Sequence, residues 1–408
     1  MLEMLSDRKS WEKFYQYKQS LFCPKKELEE LKKFIENEEY LPVCESIYKR
    51  EKFSLANKMI INKQSSQKSR VVYSYPYKEN MVLKLLTYLM LRKYNSIFCK
   101  NLYSFRPGKS ASHAIRMLRV REGIDKKYAY KVDVSNYFNS IPVSLLLPIL
   151  RETLVEDLPL YDFLKDLLEE EFVIDKGKVI REQKGIMAGT PIACFYANLY
   201  LSDMDKEFFR QNILYARYSD DIILFGDSQK EVELYAKKVR GCLLEKGLEI
   251  NPQKEIFTSP KNGFTFLGFS YKKGVTDIAP VTVEKLKKKM RRKTRALKRW
   301  SDRKHLAGEK AAAAFIRIFN AKLLENPRNG ELSWKHWFFS MITTSESLHE
   351  IDKYAQDCLR FLISKKRSKG RYQVRYEDLK SLGYQSLVHA YYEGCKVGEE
   401  VSTKLTKE

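Results

Sequence analysis

The chain has 408 residues, of which 44% are hydrophobic, and this composition excludes wholesale disorder and leaves room for two or three domains. Lysine and arginine number 75 against 52 acidic residues, and the resulting net charge of +23 favours a polyanionic partner such as a nucleic acid. No apolar run is long enough to span a bilayer and the N-terminus lacks an apolar signal stretch, so we expect a cytoplasmic protein with no membrane partner.

The pattern of apolar and turn residues predicts an α+β chain in four segments. Residues 1–64 are polar, with mixed charges, and predict an N-terminal helical extension. Residues 65–275 alternate between helical and strand-like stretches separated by Gly and Pro turns, which indicates the α+β centre. Residues 276–350 and 351–408 are mainly helical.

A first candidate acid lies at the end of an apolar strand. The spacing predicts a strand over Tyr128–Val134 with Asp133 near its end, followed by a turn that enters a helix. An aspartate in that position is costly unless it is exposed in a cleft, paired or bound to a metal.

A second acidic site lies between two strand-like runs. Residues 213–218 and 222–225 are rich in branched and aromatic residues, which predicts a hairpin with Asp220 and Asp221 at its turn. Taken alone, the pair is also typical of an Asx-type turn with no chemistry.

If the strand and the hairpin are neighbours in one sheet, Asp133, Asp220 and Asp221 meet and need a cation. Hard oxygen ligands without a nearby His or Cys favour Mg²⁺, with Mn²⁺ as a substitute, and two such ions form a clamp for in-line attack at phosphorus. Because successive strand side chains point to opposite faces, we expect Asp220 to bind metal directly and Asp221 to be a weaker or outer ligand. The backbone carbonyl of Val134 is a further candidate ligand.

The segment 285–304 is the most basic in the chain, with twelve basic residues and one acid. Leu286, Met290, Leu297 and Trp300 fall on one face of a helix, which leaves cationic faces for phosphates. The alternative is a solvated charged face. The residues we predict to bind nucleic acid are Lys287, Lys288, Arg291, Arg292, Arg295 and Arg299.

Seven segments resemble motifs of the reverse transcriptase family, in the family's order. The run Tyr218-Ser219-Asp220-Asp221 resembles the YxDD box, and Asp133-Val134-Ser135-Asn136-Tyr137-Phe138 resembles the first catalytic-aspartate motif. The other five are Arg70 followed by Pro76, the FRPG-like run 104–110, the nucleotide-pocket run 185–191 with 197–201, the segment 247–254, and the primer-grip-like run 266–269.

The resemblance implies a right-hand polymerase fold. Fingers and a palm with an antiparallel sheet would occupy 65–275 and a helical thumb 276–350, with helical extensions at both ends. It implies an RNA-directed DNA polymerase in which a primer 3′-hydroxyl attacks a dNTP between two Mg²⁺ ions, with Asp133, Asp220 and Asp221 as catalytic residues.

Further site residues are implied by the same resemblance. Phe138 matches the steric gate against a ribose 2′-hydroxyl, and Lys254 matches a lysine near the leaving pyrophosphate. The full nucleotide-binding set is Lys68, Arg70, Arg106, Phe138, Ala188, Gly189 and Lys254, and the primer grip is Phe266, Leu267 and Gly268. Ala188 stands where many relatives have Gln, which weakens the match for nucleotide selection.

The subgroup that the chain resembles most is the "unknown group" of bacterial reverse transcriptases associated with antiphage defence. That subgroup implies a cognate structured non-coding RNA as template, DNA as product or primer, and dNTPs as substrates, and it leaves protein priming and oligomers open. The alternatives are an RNA-binding maturase or scaffold of a group II intron, and a retron reverse transcriptase.

Overall fold

The computed structural model describes residues 1–21, 23–62, 69–325, 333–366 and 372–394. These residues form two compact units. The first comprises Met1–Leu21 and Lys25–Leu267, and the second begins at Gly268 and also contains residues 23 and 24.

The first unit mixes helices and strands. Its helices are α1 (Arg8–Ser20), α2 (Lys25–Glu36), α3 (Leu41–Tyr48), α4 (Tyr77–Lys93), α5 (Ala111–Arg119), α6 (Tyr137–Ser140), α7 (Val143–Thr153), α8 (Leu158–Glu169), α9 (Ala193–Tyr200), α10 (Ser202–Arg210) and α11 (Gln229–Glu245). Its strands are β1 (Asn57–Asn62), β2 (Ser69–Ser74), β3 (Tyr128–Asp133), β4 (Phe172–Asp175), β5 (Lys178–Arg181), β6 (Leu214–Tyr218), β7 (Asp221–Gly226), β8 (Ile256–Thr258) and β9 (Phe264–Phe266).

The N-terminal helices pack through an aromatic cluster. Asp7 caps α1 by accepting hydrogen bonds from the backbone N–H groups of residues 9 and 10. On the buried face of α1, Trp11 stacks on Tyr40 with ring centroids 4.9 Å apart and lies 5.4 Å from Phe34. The indole N–H donates to the carbonyl of Leu5, which satisfies its polar group inside the core.

A four-stranded sheet in the order β2-β1-β4-β5 has three of its strands in the segment 65–275, which the resemblance assigns to the fingers and palm. Its strand β1 lies within residues 1–64, which the sequence predicts to be helical. The branched run Ile60-Ile61 favours a strand, and β1 pairs antiparallel with β2 over six residue pairs, from Asn57↔Ser74 to Asn62↔Ser69.

The second sheet of the first unit, in the order β6-β7-β3-β8, carries the carboxylates. All three of its strand pairs are antiparallel, and Val132, Ile222 and Leu224 are fully buried in its core. The helix α11 packs on β3 and β7. The predicted strand over 128–134 and the predicted hairpin over 213–225 are both confirmed within one residue at each end.

The second unit is mainly helical. Its elements are β10 (Phe269–Lys272), β11 (Val275–Ile278), α12 (Pro280–Arg303), α13 (Gly308–Leu323), α14 (Glu346–Ser364) and α15 (Tyr376–Ser381). The helices α12, α13 and α14 pack pairwise against one another. The hairpin β10–β11 belongs to this unit, so the unit boundary precedes the segment boundary expected at 275–276. Among the described residues, no helix combines the length and apolar character needed to cross a membrane.

Candidate active site

Two aspartates face each other across the central strand pair of the carboxylate-bearing sheet. Asp133 is the last residue of β3 and Asp221 the first residue of β7, and the antiparallel register pairs them directly. Directly paired residues project to the same face, with Cβ atoms about 4.5–5.5 Å apart. The expected juxtaposition of the strand end and the acidic hairpin is therefore confirmed.

Asp220 lies in the turn that joins β6 to β7. Ser219, which precedes it, has a left-handed backbone with φ of 60°, so the chain reverses tightly at this point. The carbonyl of Asp220 accepts a hydrogen bond from the N–H of Val134 at 3.2 Å, which ties the turn to the end of β3. The register places Asp221, rather than Asp220, opposite Asp133. Direct metal binding by Asp220 stays a prediction. Metal binding by the backbone carbonyl of Val134, a buried residue, also stays a prediction.

The carboxylates of the turn are electrostatically unfavourable when no cation neutralises them. Burial raises the pKa of Asp220, and the neighbouring charge of Asp133 raises it further. Burial also raises the pKa of Asp221 to about 6, although the ammonium of Lys131, 3.9 Å from Asp221 Oδ1, acts in the opposite direction. A positive ligand at this place would relieve both shifts.

Lys254 supplies one positive charge at the site. Its Nζ lies 2.5 Å from Asp133 Oδ2. The short turn Pro252–Lys254 is anchored to β3 because the N–H of Asn251 donates to the carbonyl of Asp133 at 2.8 Å. The predicted role of Lys254 beside a leaving pyrophosphate stays a prediction, and the structure adds that this lysine neutralises a candidate catalytic aspartate.

The donor set fits a divalent cation by its chemistry. Within the described ranges, no three or more His, Cys, Asp or Glu side chains are already arranged to hold a metal ion. However, two partly buried carboxylates with raised pKa values beside the buried Asp133 create a local excess of negative charge, and hard oxygen donors suit Mg²⁺ or Mn²⁺. Asp133, Asp220 and Asp221 are the residues that would hold such an ion.

A buried polar network that the sequence analysis did not identify supports the turn. Ser104 Oγ accepts from the N–H of Ser219 at 2.9 Å and donates to Asn198 Oδ1 at 2.9 Å. Asn198 in turn donates to the carbonyl of Ser104, and its own carbonyl accepts from Arg217. The available sequence signal was a charged residue, Arg217, inside the apolar strand 213–218.

Arg106, which the resemblance assigns to the incoming triphosphate, is turned toward its own loop. Its guanidinium donates to Asn95 Oδ1 at 2.9 Å and to the carbonyls of Asn95, Cys99 and Leu102. Burial lowers the pKa of Arg106. The structure thus shows a loop-anchoring arginine whose four bonds use most of its five N–H donors. Its contact with a triphosphate stays a prediction, and a bidentate contact would require one of these bonds to break.

Arg70 lies within electrostatic reach of the carboxylates, and Phe138 follows the strand that ends at Asp133. Arg70 is exposed on β2, and its positive charge partly offsets the rise in the pKa of Asp220. The guanidinium is therefore within electrostatic reach of the turn. Phe138 is half-buried, with its ring centroid 6.3 Å from that of Phe105 in an edge-to-face arrangement. Lys68 lies outside the described residues.

The loop with Ala188 and Gly189 packs directly against β2. The carbonyl of Ala188 accepts from the N–H of Tyr73 at 2.8 Å. Gly189 has φ of 103°, and a Cβ there would lie 2.9 Å from the carbonyl oxygen of Tyr73, so only glycine allows this approach. The nucleotide contacts of both residues stay predictions.

The residues expected to form the primer grip lie where the first unit ends and the second begins. Phe266 is fully buried in β9, so its side chain is not displayed for a primer. Leu267 and Gly268 both have a left-handed backbone, with φ of 50° and 87°, which makes a sharp turn. A Cβ at Gly268 would make only ordinary contacts, so the backbone conformation, not space, favours glycine there.

The basic helix α12 has the expected division between a buried face and a charged face. Leu286, Met290 and Leu297 are buried as predicted, whereas Trp300 is 38% exposed and leaves the expected stripe. The exposed members of the predicted nucleic-acid-binding set are Lys288, Arg291, Arg292, Arg295 and Arg299. Lys287 instead forms ion pairs with Glu284 and Glu350.

Comparison with known proteins assigns the chain to a family. The family described as reverse transcriptase (RNA-dependent DNA polymerase) matches residues 61–271, which are 211 of the 408 residues and include the whole carboxylate site. The chain belongs to the reverse transcriptase family. No curated protein matches the sequence.

Solved telomerase structures show a weak similarity to this reverse transcriptase. An apo telomerase of Candida tropicalis is 12% identical, with a TM-score of 0.48, over 82% of this chain and 60% of that one. Its form truncated from the C-terminal domain is 13% identical, with a TM-score of 0.45, over 56% and 55% of the two chains. The telomerase of Candida albicans, in complex with a fragment of telomeric RNA, is 12% identical, with a TM-score of 0.42, over 84% and 68%.

The chain therefore spans only 55–68% of the length of these telomerase chains. TM-scores below 0.5 add nothing to the family assignment. The family assignment, the mixture of helices and sheets, and the antiparallel carboxylate-bearing sheet confirm the predicted α+β polymerase class. RNA-directed DNA polymerase, the enzyme class predicted from the sequence, is the class of this family.

Proposed function

We propose that this chain copies an RNA template into DNA by adding dNTPs to a primer 3′-hydroxyl. The observation that carries the proposal is the register pairing of Asp133 with Asp221, beside Asp220 in the turn, within a reverse transcriptase domain. A chain that only binds RNA has no need for three costly carboxylates gathered at one sheet end.

The residues of the site divide the work of catalysis. Asp133, Asp220 and Asp221 would hold divalent cations, proposed to be two Mg²⁺ ions, which when bound activate the attacking hydroxyl and neutralise the triphosphate. Arg70 adds positive charge near the turn. Phe138 would exclude a ribose 2′-hydroxyl. Catalysis in such a site consists mostly of positioning and charge neutralisation.

The proposed template is a cognate structured non-coding RNA, and the proposed setting is antiphage defence. The resemblance of the sequence to defence-associated reverse transcriptases supports this finer proposal. The exposed basic face of α12 supports it in part, because a row of cations opposite a buried face suits a phosphate backbone.

Primer extension tests the enzymatic proposal. The purified chain is given an RNA template, a DNA primer and dNTPs with Mg²⁺ or Mn²⁺, beside Asp133→Asn and the double variant Asp220→Ala/Asp221→Ala. We expect extension by the wild type and a loss of about 100-fold or more in both variants. The matched control is Asp227→Asn, which removes an exposed carboxylate just beyond the end of β7. No extension by the wild type with either metal would refute the proposal.

Recovery of bound RNA tests the template. The protein is expressed with its flanking genomic DNA, and the co-purified RNA and any new cDNA are sequenced for the wild type and the double variant. A discrete RNA with matching cDNA, lost in the variant, supports a dedicated template. A discrete RNA without cDNA in either form would support the alternative of an RNA-binding scaffold.

A further inference from the structure

Three segments of the first unit meet beside the predicted steric gate, Phe138. They are the middle of β2, the residues that follow Asp133, and the loop 185–189. The carbonyl of Phe138 accepts from the N–H of Ile186 at 2.9 Å, so the gate residue is bonded directly to the loop. The position of the Phe138 backbone is therefore coupled to the position of the loop 185–189.

The side chain of Asn139 joins all three segments. Its Oδ1 accepts from the N–H of Ala188 at 2.9 Å, and its Nδ2 donates to the carbonyl of Val71 at 3.1 Å. One partner is a donor, the Ala188 N–H, and the other is an acceptor, the Val71 carbonyl. The amide oxygen of Asn139 must therefore face the loop, and the amide nitrogen must face β2. Val71 is the neighbour of Arg70 on β2, and Asn139 is the neighbour of Phe138.

The backbone around this amide is built for close approach. A Cβ at Gly185 would lie 2.6 Å from the carbonyl carbon of Asn139 and 2.7 Å from the carbonyl oxygen of Phe138. Gly189 approaches Tyr73 in the same way on the other side of the loop. Gly185, Gly189 and Asn139 thus hold the loop between β2 and the gate residue. The bonds of Ala188 to its neighbours there are made by its backbone N–H and carbonyl.

We propose that Asn139 is a positioning residue that sets the selectivity of the site for deoxyribonucleotides over ribonucleotides, an inference that rests on the proposed function. Asn139 does not itself touch the nucleotide in this account. It fixes the distance between the backbone of the gate residue and the Ala188 peptide, and it holds β2, which carries Arg70, against both. An error of a fraction of an ångström in that distance changes whether a 2′-hydroxyl fits beside the ring.

Two variants separate the two hydrogen bonds. Asn139→Asp keeps an acceptor for the Ala188 N–H but cannot donate to the carbonyl of Val71 and sets a charge against it. Asn139→Leu keeps the branching at Cγ, with bulkier methyl groups in place of the amide, and loses both bonds. Phe138→Ala is the reference for a lost gate, and Gln183→Glu is the matched control because it adds the same charge at an exposed position of the neighbouring segment.

The experiment measures kcat and KM for a dNTP and the matching rNTP in primer extension. We expect the dNTP-to-rNTP ratio of the kcat/KM values to fall about tenfold in Asn139→Asp and further in Asn139→Leu, toward that of Phe138→Ala, mainly through a lower KM for the rNTP. Gln183→Glu should keep the wild-type ratio. A purely structural role would instead reduce dNTP and rNTP use by the same factor.

Hydrogen–deuterium exchange provides a second measurement that does not depend on activity. In Asn139→Leu, the amides of residues 71–73 and 186–189 should exchange at least about tenfold faster than in the wild type. Unchanged exchange, or an unchanged dNTP-to-rNTP ratio in an active enzyme, would overturn the inference alone. A wild type that incorporates neither nucleotide would overturn the proposed function and the selectivity role with it.

Discussion

Arg217 and Asp205 form an ion pair that is completely buried. Arg217 Nη2 lies 2.5 Å from Asp205 Oδ2, Nε lies 2.9 Å from Oδ1, and neither side chain has solvent exposure. The remaining guanidinium donors bond to backbone carbonyls, among them that of Ser219 at 3.3 Å. Because Ser219 begins the acidic turn, this pair connects α10 to the residues that carry the proposed chemistry.

Breaking this pair should be costly. Arg217→Met leaves the carboxylate of Asp205 buried without its cation, and we expect a loss of about 3–5 kcal/mol in the free energy of unfolding. The matched control is Arg210→Met, which removes an exposed arginine 3.7 Å from Glu207 and should cost no more than about 1 kcal/mol. Urea unfolding followed by circular dichroism measures both. Equal losses in the two variants would contradict the assignment of Arg217 as the internal support of the turn.

The raised pKa of Asp221 predicts a pH-dependent stability. A carboxyl group whose pKa is raised to about 6 by burial stabilises the fold fully below its ordinary value of 3.8, and this contribution is lost as the pH rises through 6. Without metal, Asp221→Asn should therefore be more stable than the wild type above pH 6, by about 1 kcal/mol, because one third of the side chain stays solvated.

Thermal unfolding in EDTA between pH 4 and pH 8 measures this difference. The stability advantage of Asp221→Asn should shrink as the pH falls below 6, and saturating Mg²⁺ should reduce it by stabilising the wild type more than the variant. Asp227→Asn, at an exposed position, serves as the control with little change. A gain that does not depend on pH would show that the carboxylate charge is not its cause.

The sequence predicted the acidic hairpin and its neighbouring strand because both depend on local pattern. Alternating apolar runs end at acidic residues in each case, and the meeting of Asp133 with the acidic turn followed from placing the two elements in one sheet. The register that pairs Asp133 with Asp221 was not predicted. The partners of long side chains are set by the tertiary fold, so they were not predictable. Arg106 bonds to its own loop and Lys254 pairs with Asp133, and neither contact was predicted. The nucleotide roles that the resemblance implies for both residues stay predictions.

Helix periodicity had a similar limit. It placed Leu286, Met290 and Leu297 correctly, because burial of α12 follows its apolar stripe. It could not show that Trp300 leaves the stripe near the helix end, since that depends on which helices pack there. The role of Asn139 was not predicted either, because the sequence of a motif does not indicate which distant segments an asparagine side chain will bond to.

Lys254 should compete with the cation at Asp133. Since its ammonium lies 2.5 Å from Asp133 Oδ2, it must move before a metal ion can bind that oxygen. The lysine side chain is 54% exposed, so the pair is worth about 0.2–1 kcal/mol, and Lys254→Met should bind Mg²⁺ more tightly, by at most about fivefold. Mg²⁺-dependent thermal shifts measure the affinity. Lys127→Met, which breaks the pair with Asp227 away from the carboxylates, is the control, and equal affinities in the two variants would exclude competition.

The exposed basic face of α12 predicts the salt dependence of RNA binding. Lys288, Arg292, Arg295 and Arg299 recur at helical spacing on the side of α12 away from its buried residues, whereas Lys287 is held by two glutamates. Each phosphate contact that is lost should lower the log–log salt slope by about 0.7–0.9.

The double variant Arg295→Gln/Arg299→Gln should therefore bind a structured RNA more weakly and with a slope shallower by about 1.4–1.8, whereas Lys287→Gln should change the slope by less than about 0.5. Fluorescence anisotropy between 50 and 300 mM KCl measures these slopes (roughly the range over which phosphate contacts dominate affinity). If Lys287→Gln alone reduced the slope as much as the double variant, the ion pairs of Lys287 would have to open on binding. A double variant with the wild-type slope would show that this face of α12 is only a solvated surface.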